Sequence, residues 1–498
     1  MATHMPAHEG ASRHEDEAVL QLSQVGICLH YVEQLPAGAT FPPQDDPCNV
    51  LASMELDLLA YRFQDPAPFS SRVMPLHADG RTASCAYGRR PIQIHYPSSF
   101  VYHSEGRSPR LTTARPERNA DVLISSTAFP DSGIRIWHLT ITPCAGEQFN
   151  EFEIIKLIHL YDGRTERTGL NALIQFSLVA DQARTTAAGL PALLGVTLIP
   201  GSALELRSGT LELMVGTDGT AEDVHVEVLD TLRKAREEDG ESERSQLDAW
   251  MDQDGLHRRT IMAYCGIVTG IFDFDKIDGE EALDTLEPTF PASSAFLRIH
   301  RRTLICIADD DRSMRECWDT VGISPYLIIP HAALLHNEVL VDGAESLLEQ
   351  ALTDPKPSLA GLETAHVLAE RKLQALYLPN VFNYITERVL FMRGSECRGS
   401  DDKRSAVLAK LEQLKGHIEI VREQERNRGQ IAIQLLLGLI SVLQLKSIIQ
   451  DMFEWEQQRP GVWLVLLLSM IALGVIVWWS QRKGLPSQIA GRRPRADN

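Results

Sequence analysis

Two apolar stretches near the end of the chain constrain its fold more than any other feature. Val462–Trp479, VWLVLLLSMIALGVIVWW, carries no charge. It is long enough to cross the hydrocarbon core of a bilayer, which takes roughly 17–25 apolar residues in a helix. Trp463 stands at one end and Trp478 and Trp479 at the other, where indole rings favour the membrane interface. The second stretch, Ile431–Gln450, holds Gln434, Ser441 and Gln444, with Lys446 near its end, from where a long stem can reach outward. Arg422, Arg426 and Arg428 precede the pair, Arg482 and Lys483 follow it, and the connector DMFEWEQQRPG is acidic. Basic residues gather on the cytosolic side of membranes. The pattern therefore predicts a transmembrane hairpin over 430–479, made of 431–450 and 462–479, in contact with the lipid bilayer. Both termini would be cytosolic, with a basic tail over 480–498, in a multi-pass protein of the cell inner membrane. The alternative for the first stretch is an interfacial or buried helix.

Periodicity adds a second expectation. At about 100° per residue, Gln430, Gln434, Ser441 and Gln444 share one sector, with Gly438 beside them and Asn427 on the same side. Polar groups facing lipid would be unsatisfied, so the stripe should face protein or a water-filled path. Several copies around an axis would line a pore with it; amides bonding across a helix–helix contact is the other reading. In the preceding DKRSAVLAKLEQLKGHIEIVREQERNRGQ, the residues Val407, Leu411, Leu414, Ile418 and Val421 follow 4-3-4-3 spacing, an a/d seam. An unbroken helix puts that seam nearly opposite the polar stripe. Asp451, Glu454 and Glu456 would ring the outer mouth and favour cations, or lie in a solvated loop.

The long stalk helix, its direct passage into a first membrane helix, the short outer loop, the second helix and the basic tail resemble the CorA-type two-membrane-helix cation transporters, over roughly Ser324–Lys483. The resemblance implies a homo-oligomer, a pentamer, whose first membrane helix lines an ion path gated by the cytosolic domain. It also implies a divalent cation, magnesium, as ligand and cargo. The family's Gly-Met-Asn signature is missing; QDMFEW, Gln450–Trp455, stands in its place. Some CorA-like proteins without the tripeptide look like ligand-controlled effectors of antiviral defence that permeabilise the membrane. A third reading makes the hairpin a plain anchor for a binding domain.

The predicted fold class is an α+β cytosolic domain followed by a helical collar, a stalk helix and the CorA-like hairpin. Residues 1–16 are expected to be disordered, 17–323 to form the α/β body with its weakest internal boundary at 222–255, and 324–429 the collar and stalk. QVGICLHYV, IRIWHLTIT, ALIQFSLVA, ALLGVTLIP and TLELMV read as strands, as do MAYCGIVTGIFDFD and AFLRIHRRTLICIADDD, whereas FNEFEIIKLIHLY reads as a helix. A net charge of −19 argues against nucleic acid as a partner. The eight cysteines form no CxxC pair, and those in GICLH and LICIA read as small hydrophobes. No phosphate-binding, dinucleotide, nucleophile-elbow or HExxH motif occurs, and no enzyme is expected. DFDKIDGEE lacks the spacing of a calcium loop. In GRSPRLTTARPER, the residues Arg107, Arg110, Arg115 and Arg118 are candidates to hold the phosphates of a small nucleotide-like ligand, or an exposed basic loop. The histidines show no metal-ligand spacing.

Overall fold

The computed structural model describes residues 12–14, 18–36, 39, 83–102, 110–161, 173–181, 183–215, 224–235, 240–291, 295–300, 303–309, 322–354, 358–378, 382, 385–453 and 467. The chain divides into two compact units, one formed by 1–345 with 370–408, the other by 346–369 with 409–498. The strands are β1 (Ser12–His14), β2 (Val25–Gln34), β3 (Ala83–His95), β4 (Ser99–Val101), β5 (Arg110–Thr112), β6 (Glu117–Phe129), β7 (Ile134–Pro143), β8 (Gln175–Leu178), β9 (Ala203–Val215), β10 (Phe290–Pro291), β11 (Ala295–His300) and β12 (Thr303–Asp309). The helices are α1 (Glu151–Ile158), α2 (Leu190–Leu193), α3 (Val224–Lys234), α4 (Glu241–Met251), α5 (Leu256–Thr269), α6 (Gly279–Thr285), α7 (Pro325–Thr353), α8 (Leu359–Glu370), α9 (Ile385–Cys397) and α10 (Ser400–Phe453).

The first unit is organised by a nine-stranded mixed sheet in the order β10-β11-β12-β9-β2-β7-β6-β3-β8. Its pairings are antiparallel except β12 with β9. A parallel pair needs a long crossover, and α3 to α6 lie in the chain between β9 and β12. Strand β2 shows why both faces of the sheet are covered. Ile27, Leu29 and Tyr31 alternate into the largest apolar cluster with Phe152 and Ile155 of α1 and Ile261 and Ile267 of α5. Cys28 and Val32 point the other way, into clusters shared with α7. Helix α1 starts at a complete capping box, Asn150 with Glu153.

At its start α7 is pinned to the sheet by a close backbone approach. Gly26 on β2 is the register partner of Glu212 on β9, and a Cβ on Gly26 would lie 2.1 Å from the Gly322 carbonyl oxygen. Gly322 itself has φ of +73°, a conformation side-chain-bearing residues rarely adopt. Two glycines thus let the segment before α7 lie on the strands, and Ser324 N–H donates to Glu212 Oε2 at 2.5 Å.

Several expectations need correction. MAYCGIVTGIFDFD forms the greater part of helix α5, not a strand. Thr260 through Val268 are all buried, and an all-round apolar run carries no periodicity to separate helix from strand. ALLGVTLIP overlaps only the last two residues of the short helix α2 and forms no strand, and AFLRIHRRTLICIADDD folds back as two antiparallel strands. The predicted CorA-like hairpin is not supported. The observed architecture is an α+β fold on a large mixed sheet, and among the described residues no helix is long and apolar enough to cross a membrane. Ile431–Gln450 belongs to α10, and the side chains of Val442, Leu443 and 445–450 lie outside the described residues. Val462–Trp479 lies outside the described residues apart from Leu467. The transmembrane assignment and the multi-pass inner-membrane location built on it are therefore withdrawn.

In the second unit, α10 is held alongside the end of α7 and α8 by Lys410 Nζ to Glu349 Oε1 at 2.9 Å and Arg422 Nη2 to Glu363 Oε1 at 2.6 Å. Along α10 the heptad seam is real: Val407, Leu411, Leu414 and Ile418 are buried and Val421 half-buried.

Candidate functional site

The sequence-predicted residues do not converge. Asn427, Gln430, Gln434, Ser441 and Gln444 are exposed on α10, and Gly438 is half-buried; the Ser441 hydroxyl donates to the Leu437 carbonyl one turn back. Asp451 is in the last turn of α10, while Glu454 and Glu456 lie outside the described residues. Of the arginines, Arg107 is outside the described residues, and Arg110 and Arg115 are exposed. Arg118 is buried and committed to the fold: Nε meets Glu153 Oε1 at 2.6 Å, Nη2 meets Glu153 Oε2 at 3.2 Å and Nη1 meets Glu147 Oε2 at 3.0 Å. Its planar fork is spent on carboxylates and is withdrawn from any phosphate.

A different constellation is assembled on the sheet face beneath α7. Cys28 and His30 are two apart on β2 and share a face. His138 on β7 is the register partner of His30. All three are fully buried. His30 Nδ1 lies 2.8 Å from His138 Nδ1 and 3.8 Å from Cys28 Sγ. The outer nitrogens are held too: His30 Nε2 is 2.8 Å from Thr210 Oγ1, and His138 Nε2 is 3.1 Å from Thr127 Oγ1. From above, the His331 ring of α7 lies 4.5 Å from that of His30, with its Nε2 2.8 Å from Ser208 Oγ. Arg398 closes the layer, its side chain buried and ion-paired with Glu338, with Nη1 3.4 Å from Ser208 Oγ.

Burial sets the protonation of this layer. It holds His138 down to about 3 and His30 well below the usual imidazole range, helped by His331, His138 and Arg398. His331 is lowered by burial and then by Arg398 and His138. Two neutral imidazoles can share one proton between their Nδ1 atoms, each outer nitrogen taking the complementary role toward its threonine. Burial also raises the Cys28 thiol to about 12, against a weaker opposing hydrogen bond from Thr140, so it is not a nucleophile at neutral pH. A cavity bordered by Thr303, Leu304, His331, Gly394 and Arg398 adjoins the layer. It has room for about one water molecule, far too little for an organic substrate.

The same buried face gives a pH test. The His336 ring on α7 lies tilted against that of Phe129 at 4.3 Å between centroids and faces Ser132 Oγ at 2.9 Å. Burial, with Lys372 adding to it, holds the imidazole down to about 4, against an opposing hydrogen bond from Asn337. A lowered histidine is neutral in the fold and takes up a proton on unfolding. Its contribution is complete above pH 6.5 and is lost as pH falls toward 4, by roughly 3 kcal/mol. His336→Gln should remove that much of the acid-side slope in urea-unfolding free energies between pH 6.5 and 4; an unchanged slope would refute the assignment.

Sequence reasoning missed this layer because its contacts join distant parts of the chain: His30 and His138 are 108 residues apart, His30 and Thr210 180, and Ser208 and His331 123. Its one local signal is the C-x-H alternation within GICLHYV. No family model matches the chain, and no curated protein or solved structure matches it.

Proposed function

We propose that this chain is a self-associating protein in which α10 is the association element and the occupant of its exposed apolar face is a second copy of the chain. The observation behind this reading is the run Ile433, Leu436, Leu437 and Ile440, between 41 and 61 % exposed. The i, i+3, i+4, i+7 spacing puts these residues on one face. At 100° per residue that face lies on the same side of α10 as the buried seam Val407–Ile418. The helix thus runs on past its own cover with its apolar side bare, and an unburied stripe of that kind marks an interaction surface. Between seam and stripe, Glu423, Glu425, Arg426 and Arg428 form a mixed-sign run that can pair with itself in a neighbouring copy. Gln430, Gln434 and Ser441 flank the stripe and would supply amide and hydroxyl contacts at the rim.

Ion conduction and membrane permeabilisation, as the resemblance to CorA-type proteins implies them, would run along membrane-spanning helices. No described helix supplies one, and the association reading does not depend on it. The test is the mass of the full chain by light scattering over a concentration series, wild type beside Leu436→Lys/Ile440→Lys. The expected result is an oligomer in the wild type and at least a tenfold weaker association in the variant. A wild-type monomer at every concentration, or equal masses for both chains, would overturn the reading.

A further inference from the structure

We propose that Cys28, His30 and His138 form a buried site for a thiophilic closed-shell cation, of the zinc(II) or copper(I) kind, that ties β2 to β7 beneath α7. Three donor atoms of the right type, Cys28 Sγ and the two Nδ1 atoms, lie within 4.8 Å of one another. The pleat and the register place them there: i and i+2 on one strand and the cross-strand partner of the second. Around a tetrahedral zinc, bond lengths put two nitrogens about 3.3 Å apart and a nitrogen and a sulfur about 3.6 Å apart. The observed 3.8 Å between Cys28 Sγ and His30 Nδ1 already fits. The 2.8 Å between the imidazoles is the distance of a shared proton. Admitting the cation in its place widens that pair by about half an ångström.

The surroundings match what a metal ligand needs. Each imidazole is steered through its outer nitrogen by a threonine hydroxyl, Thr210 for His30 and Thr127 for His138. Such outer partners fix ring direction and tautomer at metal centres. With the cation bound, both rings become Nε2–H tautomers and donate to those hydroxyls, so neither imidazole loses a proton to solvent. Cys28 loses one, and the cation takes its place on sulfur. Ser125, the register partner of His138, is buried with a hydroxyl that has no hydrogen-bond partner. It places one further polar atom in the layer. No carboxylate belongs to the group, which disfavours magnesium and calcium, cations that take oxygen ligands.

The experiment is refolding of the full chain with cobalt(II), a coloured substitute for zinc, followed by absorption spectroscopy and metal analysis of wild type, Cys28→Ser, His138→Gln and, as control, Cys144→Ser. A parallel arm supplies copper(I) against a coloured chelator. The expected wild-type result is one equivalent of metal with a thiolate-to-cobalt charge-transfer band, or, in the copper arm, one equivalent held against the chelator. Cys144→Ser should behave the same, and both site variants should bind at least a hundredfold more weakly. Circular dichroism of the metal-free variants confirms that they fold. The wild-type spectrum decides the matter even where a variant does not fold. No stoichiometric metal in either arm, or a wild-type cobalt spectrum without the sulfur band and no copper(I) retained, overturns the proposal.

Discussion

Replacing Arg118 by methionine is expected to destabilise the first unit by about 3–5 kcal/mol, the cost of breaking a buried ion pair by removing one partner. The size follows from what would be left behind. Glu153 has a side chain only 1 % exposed, and it also accepts the Asn150 backbone N–H as the third residue of the α1 capping box. Without the guanidinium, its charge would stay buried against one remaining N–H, at the start of a helix that packs on β2 and β9. Methionine keeps much of the volume, so the loss is electrostatic and not a cavity effect. Two companions make the prediction sharp. Arg118→Met/Glu153→Gln should recover most of the loss, because the orphaned charge is gone and glutamine still serves the capping box. Arg115→Met, on an exposed side chain, should stay within about 0.5 kcal/mol of wild type. The measurement is urea unfolding at pH 7. A loss under about 1 kcal/mol for Arg118→Met would mean that the pair is effectively solvated and the arginine available for a ligand after all.

Arg118 also shows where the sequence stops being legible. GRSPRLTTARPER reads as a basic loop because its acidic partners, Glu147 and Glu153, come 29 and 35 residues later; local composition cannot see a pair between a strand and a later helix. The elements that were legible are those whose evidence is local. The a/d seam of α10 is written in 4-3-4-3 spacing and is buried along Val407, Leu411, Leu414 and Ile418. Strands β2 and β7 are written as short apolar runs bounded by turn residues, and FNEFEIIKLIHLY announced α1 through its helical spacing. Helix α5 failed because it is covered all round, which erases the very periodicity that names a helix. The layer of Cys28, His30, His138 and His331 failed for the same reason as Arg118. Two strands and a helix must come together before those side chains meet.

Glu212 carries the second large effect, and it has the opposite sign in pH to the histidines. Its carboxyl is fully buried and accepts Ser324 N–H at the start of α7. That contact favours the anion, but burial outweighs it and raises the carboxyl to about 8. A raised carboxyl is protonated in the fold and releases its proton on unfolding. Its contribution is therefore complete below about pH 4.5 and is lost as pH rises to about 8. At 1.36 kcal/mol per pH unit the loss sums to roughly 5 kcal/mol. Glu212→Gln keeps an acceptor for Ser324 N–H and carries no proton to lose. Its unfolding free energy should exceed that of wild type at pH 8 by several kcal/mol and converge on it near pH 5. Between pH 4.5 and 6.5 the Glu212 and His336 slopes oppose each other, while His30, His138 and His331 add to the acid side. Above 6.5 only the Glu212 slope remains among these groups. Wild-type stability should accordingly peak near pH 6.5 and fall toward pH 8, and the variant should lose the alkaline fall while keeping the acid one. Parallel curves for the two chains from pH 5 to 8 would mean that Glu212 is ionised in the fold, so that the anchoring of α7 rests on a charge–dipole contact with the Ser324 N–H instead of a neutral hydrogen bond.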